Sequence, residues 1–197
     1  IQLMDSIQVT SKEDNTVIFI GRLIPHKHVD DLVRAIAAVR KHIPGVKLKI
    51  IGSGQEYQPL LKLVREVGLE KNIRFFGKAD YIDLIKELKK SSLLVLPSTR
   101  EGFGMFLVEA FACNVPCIAY YSDGVKDVIS NGRNGFLIKQ RDIEGLASKI
   151  ELLLKKKTKA MLFAKNGRAK TERYFSWDII VTQIEDFYKD LLKEKQY

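Results

Sequence analysis

The residues best suited to chemistry lie in one stretch, 98–110, which reads Ser-Thr-Arg-Glu-Gly-Phe-Gly-Met-Phe-Leu-Val-Glu-Ala. From 105 to 113 every residue is apolar except Glu109. A helix that is apolar on nearly all sides is expected to be buried. A carboxylate inside it costs free energy unless something pairs with it. Glu101 stands just before the same helix start, with Gly102 and Gly104 beside it. The amide-rich, positive end of a buried helix is a ready phosphate site, and flanking carboxylates can accept hydrogen bonds from ligand hydroxyls. The ligand class this implies carries phosphates and several hydroxyls, as a sugar nucleotide does.

Cations for such a ligand occur in the segment Gly21-Arg22-Leu23-Ile24-Pro25-His26-Lys27. Arginine offers a planar fork and lysine a mobile point charge, and both suit a diphosphate. Two basic residues in a loop are ordinarily just solvated; their place after a strand sets a functional reading beside that one. Gly52-Ser53-Gly54 reads either as a plain turn or as a close backbone approach to a phosphate or base. It is not a dinucleotide fingerprint, because position 57 is Tyr where a third glycine is needed, and no Gly-Lys-Ser or Gly-Lys-Thr of a P-loop occurs.

The elements that must position these groups follow from periodicity. Short apolar runs at 17–21, 46–51, 73–76, 93–96, 116–119 and 136–138 read as strands. Helical spacing covers 29–42, 57–67, 81–90, 104–113 and 124–130. From 143 onward the chain reads as helical, with one break near Phe175-Ser176, where Ser176 can cap a last helix over 177–193. Six short strands, apolar throughout and alternating with helices, predict an α/β fold. It is a Rossmann-like, doubly wound, six-stranded parallel sheet with helices on both faces and a helical tail. Ligands bind such sheets at the carboxyl ends of the strands. Gly21, Gly52 with Gly54, Gly77, and Gly102 with Gly104 all fall there, which predicts one shared site. The expected organisation is one domain over 1–197, with a leading segment 1–15 and a terminal helix 176–194.

Composition narrows the classes. The 197 residues are 46% hydrophobic and 29% charged, ordinary for a globular chain. No run reaches the length of a transmembrane helix, and the first residues lack the pattern of a signal peptide. The chain begins with Ile, which reads as a piece of a longer protein. Cys113 and Cys117 lie in apolar surroundings and are expected as buried thiols in a reducing compartment rather than a disulfide or metal pair. Three histidines make a His-based metal site unexpected. The net charge is +9, and 155–173 carry eight Lys or Arg against one Glu. That run reads first as a solvated helical face and second as attraction to phosphorylated substrates or an anionic membrane surface. Nucleic acid is not expected, because no aromatics are interleaved as stacking platforms.

Taken together, Gly21-Arg22-Leu23 followed by Lys27, Gly52-Ser53-Gly54, Phe76-Gly77, Leu96-Pro97-Ser98, and Glu101-Gly102-Phe103-Gly104 with Glu109-Ala110 form a known order. It resembles the retaining family 4 glycosyltransferases of the GT-B fold, whose signature includes two glutamates at this spacing. Ser122-Asp123-Gly124, the segment 131–137 and Phe175-Ser176-Trp177 also look like family features. The resemblance covers roughly 16–192.

The resemblance implies one half of a GT-B fold: the carboxyl-terminal, donor-binding domain, without the amino-terminal acceptor domain. It implies a nucleotide-diphosphate sugar as donor substrate, no cofactor and no metal. Arg22 and Lys27 would neutralise the diphosphate and the charge developing on the leaving nucleotide. Glu101 would contact the transferred sugar and Glu109 the ribose hydroxyls. Amides of Gly102, Phe103, Gly104, Met105 and Phe106 would hold sugar and phosphate. Gly21, Gly52 and Gly54 would allow close approach, and the backbone around Gly77 and Lys78 would face the base. The implied activity is transfer of the sugar with retention. The expected location is the cytoplasm, including the cytoplasmic face of a membrane, and the basic tail fits an anionic membrane surface or a lipid-linked acceptor. The terminal helix would lean toward the absent half, and the isolated chain would turn over little or nothing.

Two positions depart from the pattern. Asn114 stands where the family usually has glycine, and asparagine tolerates the left-handed conformation that a helix end often needs. Asp123-Gly124-Val125-Lys126-Asp127 replaces a usual Gly-Gly and Pro-Glu, and Asp127 is one methylene short. The competing readings are a non-catalytic sugar-nucleotide-binding or partner-binding module, and a GT-B-like epimerase or phosphorylase. Neither of the latter two has a recognisable acid/base set or cofactor lysine here.

Overall fold

The computed structural model describes residues 1–194. Residues 195–197 of the expected 1–197 domain lie outside the described residues. The elements run α1 (Gln2–Ser6), β1 (Thr16–Ile20), a 3-10 turn (Pro25–Lys27), α2 (Val29–Arg40), β2 (Lys47–Ile51), α3 (Tyr57–Glu66), β3 (Ile73–Gly77), α4 (Tyr81–Lys90) and β4 (Leu93–Leu96). They continue as α5 (Met105–Ala112), β5 (Cys117–Tyr120), α6 (Asp123–Val128), β6 (Gly135–Ile138), α7 (Ile143–Lys155), α8 (Lys157–Tyr174) and α9 (Trp177–Glu194).

The strands form one six-stranded sheet in the order β3-β2-β1-β4-β5-β6. Every pairing is parallel, with Phe19 opposite Ile50 on one side of β1 and Ile18 opposite Leu94 on the other. Strands β1, β4 and β5 are buried at every position. A strand buried on both faces is expected to be mostly apolar, as in a parallel sheet covered by helices; in β1 only Thr16 is polar. The chain winds outward from β1 through β2 to β3. Helix α4 then brings it back to β4, beside β1, and it winds the other way. The loops after β1 and β4 therefore part at the centre of the sheet and leave a crevice between them. Helices α2, α3 and α7 pack together over one face, and α5 and α8 over the other. Gly167 permits the second pairing, since a Cβ there would stand 2.1 Å from the ring of Phe111.

Three features differ from the sequence expectation. The leading segment contains the short helix α1, fixed by Arg168, which bonds both Asp5 oxygens at 2.8 Å. The helical region after 143 breaks a second time, at Lys156 (φ −102°, ψ 71°), without glycine or proline. Strand β2 is not wholly apolar: Lys49 is buried, with its ammonium 2.6 Å from both Glu13 and Glu87. Two carboxylates satisfy the charge that burial would otherwise make costly.

Asn114 takes the left-handed conformation expected of it, at φ 55°. Cys113 and Cys117 are free and buried. The basic run begins at the opposite edge of the sheet from the crevice, where Lys157 bonds Asp14 at 2.8 Å, just ahead of β1. Among the described residues no helix is long and apolar enough to cross a membrane.

Candidate functional site

The loop after β1 lies directly on the loop after β2. Gly21 N–H donates to Ile51 O at 3.0 Å, Leu23 N–H to Ser53 O at 2.9 Å, and Glu56 N–H to Leu23 O at 3.0 Å. This contact explains the glycine pair. A Cβ at Gly52 would stand 1.9 Å from Gly21 O, and one at Gly54 would stand 2.1 Å from Leu23 O. The 3-10 turn then lifts Lys27 over the crevice, and His28 enters α2 in the left-handed region (φ 45°, ψ 45°).

From the other side comes the loop after β4. Gly104 (φ 81°) turns the chain into α5; Leu107 N–H donates to Gly104 O at 2.8 Å, and the amides of Met105 and Phe106 start the helix with no carbonyl a turn before them. Helix α6 presses on this loop from behind: a Cβ at Gly124 would lie 1.7 Å from Gly102 O. The ring of Phe103 meets that of Phe175 edge-on, with centroids 5.3 Å apart, so the end of α8 also supports the loop.

Between the two loops run two adjoining cavities. One, of about 320 Å³, is lined by Gly21, Arg22, Lys27 and the run from Glu101 to Phe106. The other, of about 340 Å³, includes Gly21, Arg22, Gly52, Ser53, Lys78 and Phe106. Ile20, Gly21, Arg22 and Phe106 border both, so the two form one cleft. In the first, Lys27 Nζ lies 2.6 Å from Glu101 Oε2, and both side chains are largely shielded, at 14% and 18% exposure. Arg22 is exposed at the junction. The field here is cationic. His26 is pushed below the ordinary histidine value by partial burial and then by Lys27, Arg100 and Arg22, with Glu101 opposing.

Glu109 sits farther along α5. Its Oε1 accepts from the Tyr81 hydroxyl at 3.2 Å. Its Oε2 is buried, and among the described residues no hydrogen-bond donor reaches it. Desolvation raises its pKa, and the Tyr81 bond offsets this only in part. Burial and the neighbouring carboxylate push the Tyr81 phenol up to about 12, so it remains a donor at neutral pH. A buried carboxylate oxygen without a donor costs free energy until a donor is supplied.

Of the residues singled out from sequence, Gly21, Arg22, Lys27, Gly52, Lys78, Glu101, Gly102, Phe103, Gly104, Met105 and Phe106 line the cleft. Gly54, Gly77 and Glu109 do not. Gly54 serves loop-on-loop packing, and Gly77 O accepts from Gly52 N–H at 2.7 Å. Met105, expected within a buried helix, is exposed at its tip. Tyr81, His26, Thr99 and Arg100 also stand at or beside the site without a motif of their own to mark them. Arg100 stood inside the signature stretch, and its charge was the available signal. A larger cavity, of about 640 Å³, lies near Lys49, away from these loops. Lys49, Glu13, Glu87 and Lys90 on its wall pair with one another, which accounts for them structurally. Among the described residues no group of three or more His, Cys, Asp or Glu could hold a metal ion.

Comparison with known proteins agrees with this architecture. Residues 3–170 match the family model described as glycosyl transferases group 1. N-acetyl-alpha-D-glucosaminyl L-malate synthase of Bacillus anthracis is 33% identical over 184 residues, covering 93% of this chain and 48% of that protein. Glycogen synthase of Mycobacterium tuberculosis is 29% identical, covering 87% of this chain and 42% of its own length. The chain thus spans about half the length of these relatives. The solved structure of Anabaena HepE in complex with UDP superposes with a TM-score of 0.84 at 27% identity, covering 90% of this chain and 49% of that one. With its Rossmann-like half-fold, its crevice loops and these relatives, the chain belongs to the glycosyl transferases group 1 family.

Proposed function

We propose that this chain is the donor-binding domain of a retaining glycosyltransferase and holds a nucleotide-diphosphate sugar in the crevice between β1 and β4. The observation that carries the proposal is the cleft that brings Arg22, Lys27 and the first-turn amides of α5 around Glu101. In this reading the diphosphate takes the charge of Arg22 and Lys27 and the amides of Gly102 to Phe106. Glu101 turns from Lys27 to a hydroxyl of the transferred sugar. Glu109, beside the cleft rather than on its wall, reorients its carboxylate to accept from ribose, and the backbone at Gly52 and Lys78 borders the base. As the bond to the sugar breaks, negative charge grows on the leaving diphosphate, and cations already fixed in place stabilise it without reorganisation. No metal or other cofactor is part of the proposal. That HepE is known in complex with UDP supports a nucleotide donor here.

The acceptor site belongs, in this reading, to a preceding half, so the 197 residues alone bind the donor and transfer little. A cytoplasmic site of action, where sugar nucleotides are made, completes the reading. The test is the product of the full-length protein that carries this domain. NMR coupling constants at the new anomeric carbon should show the donor's configuration retained. Inverted product, or turnover by the isolated chain at the full-length rate, would overturn the proposal.

A further inference from the structure

His28 occupies a backbone conformation that its side chain does not favour, and its ring makes no cap bond to α2. Its nearest polar neighbour at Nδ1 is the Arg141 guanidinium. Arg141 is also left-handed, at φ 65°. Two strained residues thus bond each other, and such conformations persist only where the surroundings hold them. An arginine can only donate, so Nδ1 accepts and the ring proton sits on Nε2. Nε2 lies 3.1 Å from Thr99 Oγ1 and donates to it. The Thr99 hydroxyl in turn donates to His26 O at 3.4 Å, alongside the Thr99 N–H at 3.0 Å. The chain of donors runs from Arg141 through His28 and Thr99 to the His26 carbonyl.

The far end is anchored. Arg141 lies 3.1 Å from Asp31 Oδ2, the same oxygen that accepts from Tyr120 OH at 2.9 Å, and Asp31 is fully buried. Asp30 stands 3.7 Å from the guanidinium and 3.9 Å from the imidazole. Gln140, next in sequence, donates to Thr99 O at 3.1 Å and to Tyr121 O at 2.8 Å. The loop after β6 therefore ties the loop after β1, which carries Lys27, to the loop after β4, which carries Glu101.

We infer that His28 is a positioning residue: through Thr99 and Arg141 it holds Lys27 and Glu101 in register, so that the cation meets the donor diphosphate. The inference rests on the donor-binding reading for its ligand. A glycine at 28 would relieve the backbone and would lack only the bridge.

The experiment compares wild type with His28→Gly and Arg141→Gln. Long-range proton–nitrogen spectra of the imidazole should show a proton on Nε2 and none on Nδ1, and Arg141→Gln should shift the Nδ1 resonance. In His28→Gly the Tm should be no lower, while the Lys27 ammonium signal should broaden or lose order as its pairing with Glu101 loosens. Affinity for UDP should fall about tenfold, the loss of one well-placed charged contact. Affinity for uridine, which has no phosphate, should stay unchanged. A proton on Nδ1, or a Lys27 signal identical in His28→Gly, would overturn the inference, as would equal losses for UDP and uridine. If wild type binds no UDP, the choice of a uridine nucleotide fails, and the imidazole and ammonium signals still decide the positioning role.

Discussion

Lys27 Nζ lies 2.6 Å from Glu101 Oε2, and the two side chains shield each other from solvent. The cation expected to meet a diphosphate and the carboxylate expected to meet a sugar are bonded to one another. In the proposed reading, a donor entering the cleft exchanges this bond for two others: phosphate oxygen to Lys27, and sugar hydroxyl to Glu101. The pair keeps each group from being buried alone, and the exchange couples recognition of the two ends of the donor.

Substitution of either partner should separate those two ends. Glu101→Gln leaves Lys27 without its competitor, so UDP should bind a few-fold tighter, while the advantage of a UDP-sugar over UDP should shrink. Lys27→Ala should cost about tenfold to a hundredfold in UDP affinity, as loss of a charged contact to phosphate does. Calorimetry on the two variants checks both. Weaker UDP binding in Glu101→Gln would contradict the exchange.

His26 reports the field. Its pKa is depressed by partial burial and by Lys27, Arg100 and Arg22. A bound diphosphate places negative charge among those cations, favours the protonated ring and should raise the His26 midpoint. By linkage, diphosphate affinity should increase as pH falls through the histidine range. NMR titration of the His26 ring with and without UDP measures the shift. A midpoint unmoved at saturation would place the phosphates elsewhere.

Glu109 should be a site where binding is kept at the expense of stability. Its folded pKa lies above the unfolded value because of desolvation. Such a group favours folding most at low pH, and its contribution is lost as pH rises through the raised folded value. Buried Asp31 shifts the same way, also through desolvation, so part of the acid-range slope remains when Glu109 is removed. Glu109→Gln should therefore raise Tm at neutral pH, flatten the dependence of Tm on pH in the acid range and weaken nucleotide binding. Thermal unfolding across pH is the check, and a lower Tm at neutral pH would contradict it.

Gly124 supports the loop after β4 from behind. Gly124→Ala puts a methyl where Gly102 O lies, 1.7 Å away. The expected cost is about 1–3 kcal/mol of stability, with a loss of UDP affinity as Gly102 and Phe103 are pushed aside. Gly45→Ala, where nothing lies within 4 Å, is the control and should leave UDP binding unchanged.

Much of this site was legible because the sheet imposes a simple rule on sequence. The runs Leu93–Leu96 and Cys117–Tyr120 are apolar throughout because both faces are covered. Gly21 and Gly52 mark where β1 and β2 end at the crevice, and Gly104 marks where α5 begins beside it. What stayed hidden depends on partners distant in sequence. Lys49 reads as an interruption in β2 until Glu13 and Glu87 are seen around it. Tyr81 looks like any helix-start aromatic until it is found on Glu109, 28 residues away. The break at Lys156 has no glycine or proline to announce it. The left-handed His28 and Arg141 likewise carry no local signal; each is explained by the other.

In the proposed reading the crevice holds a nucleotide-diphosphate sugar with Glu109 on its ribose. Calorimetric titration of the chain with UDP-, GDP- and ADP-sugars, repeated on Glu109→Ala, tests it most directly. At least one donor should bind wild type, and Glu109→Ala should weaken that donor about tenfold or more, as removal of an acceptor from a ligand's hydroxyls does. Binding of none of them, or equal affinity in the variant, would contradict the claim.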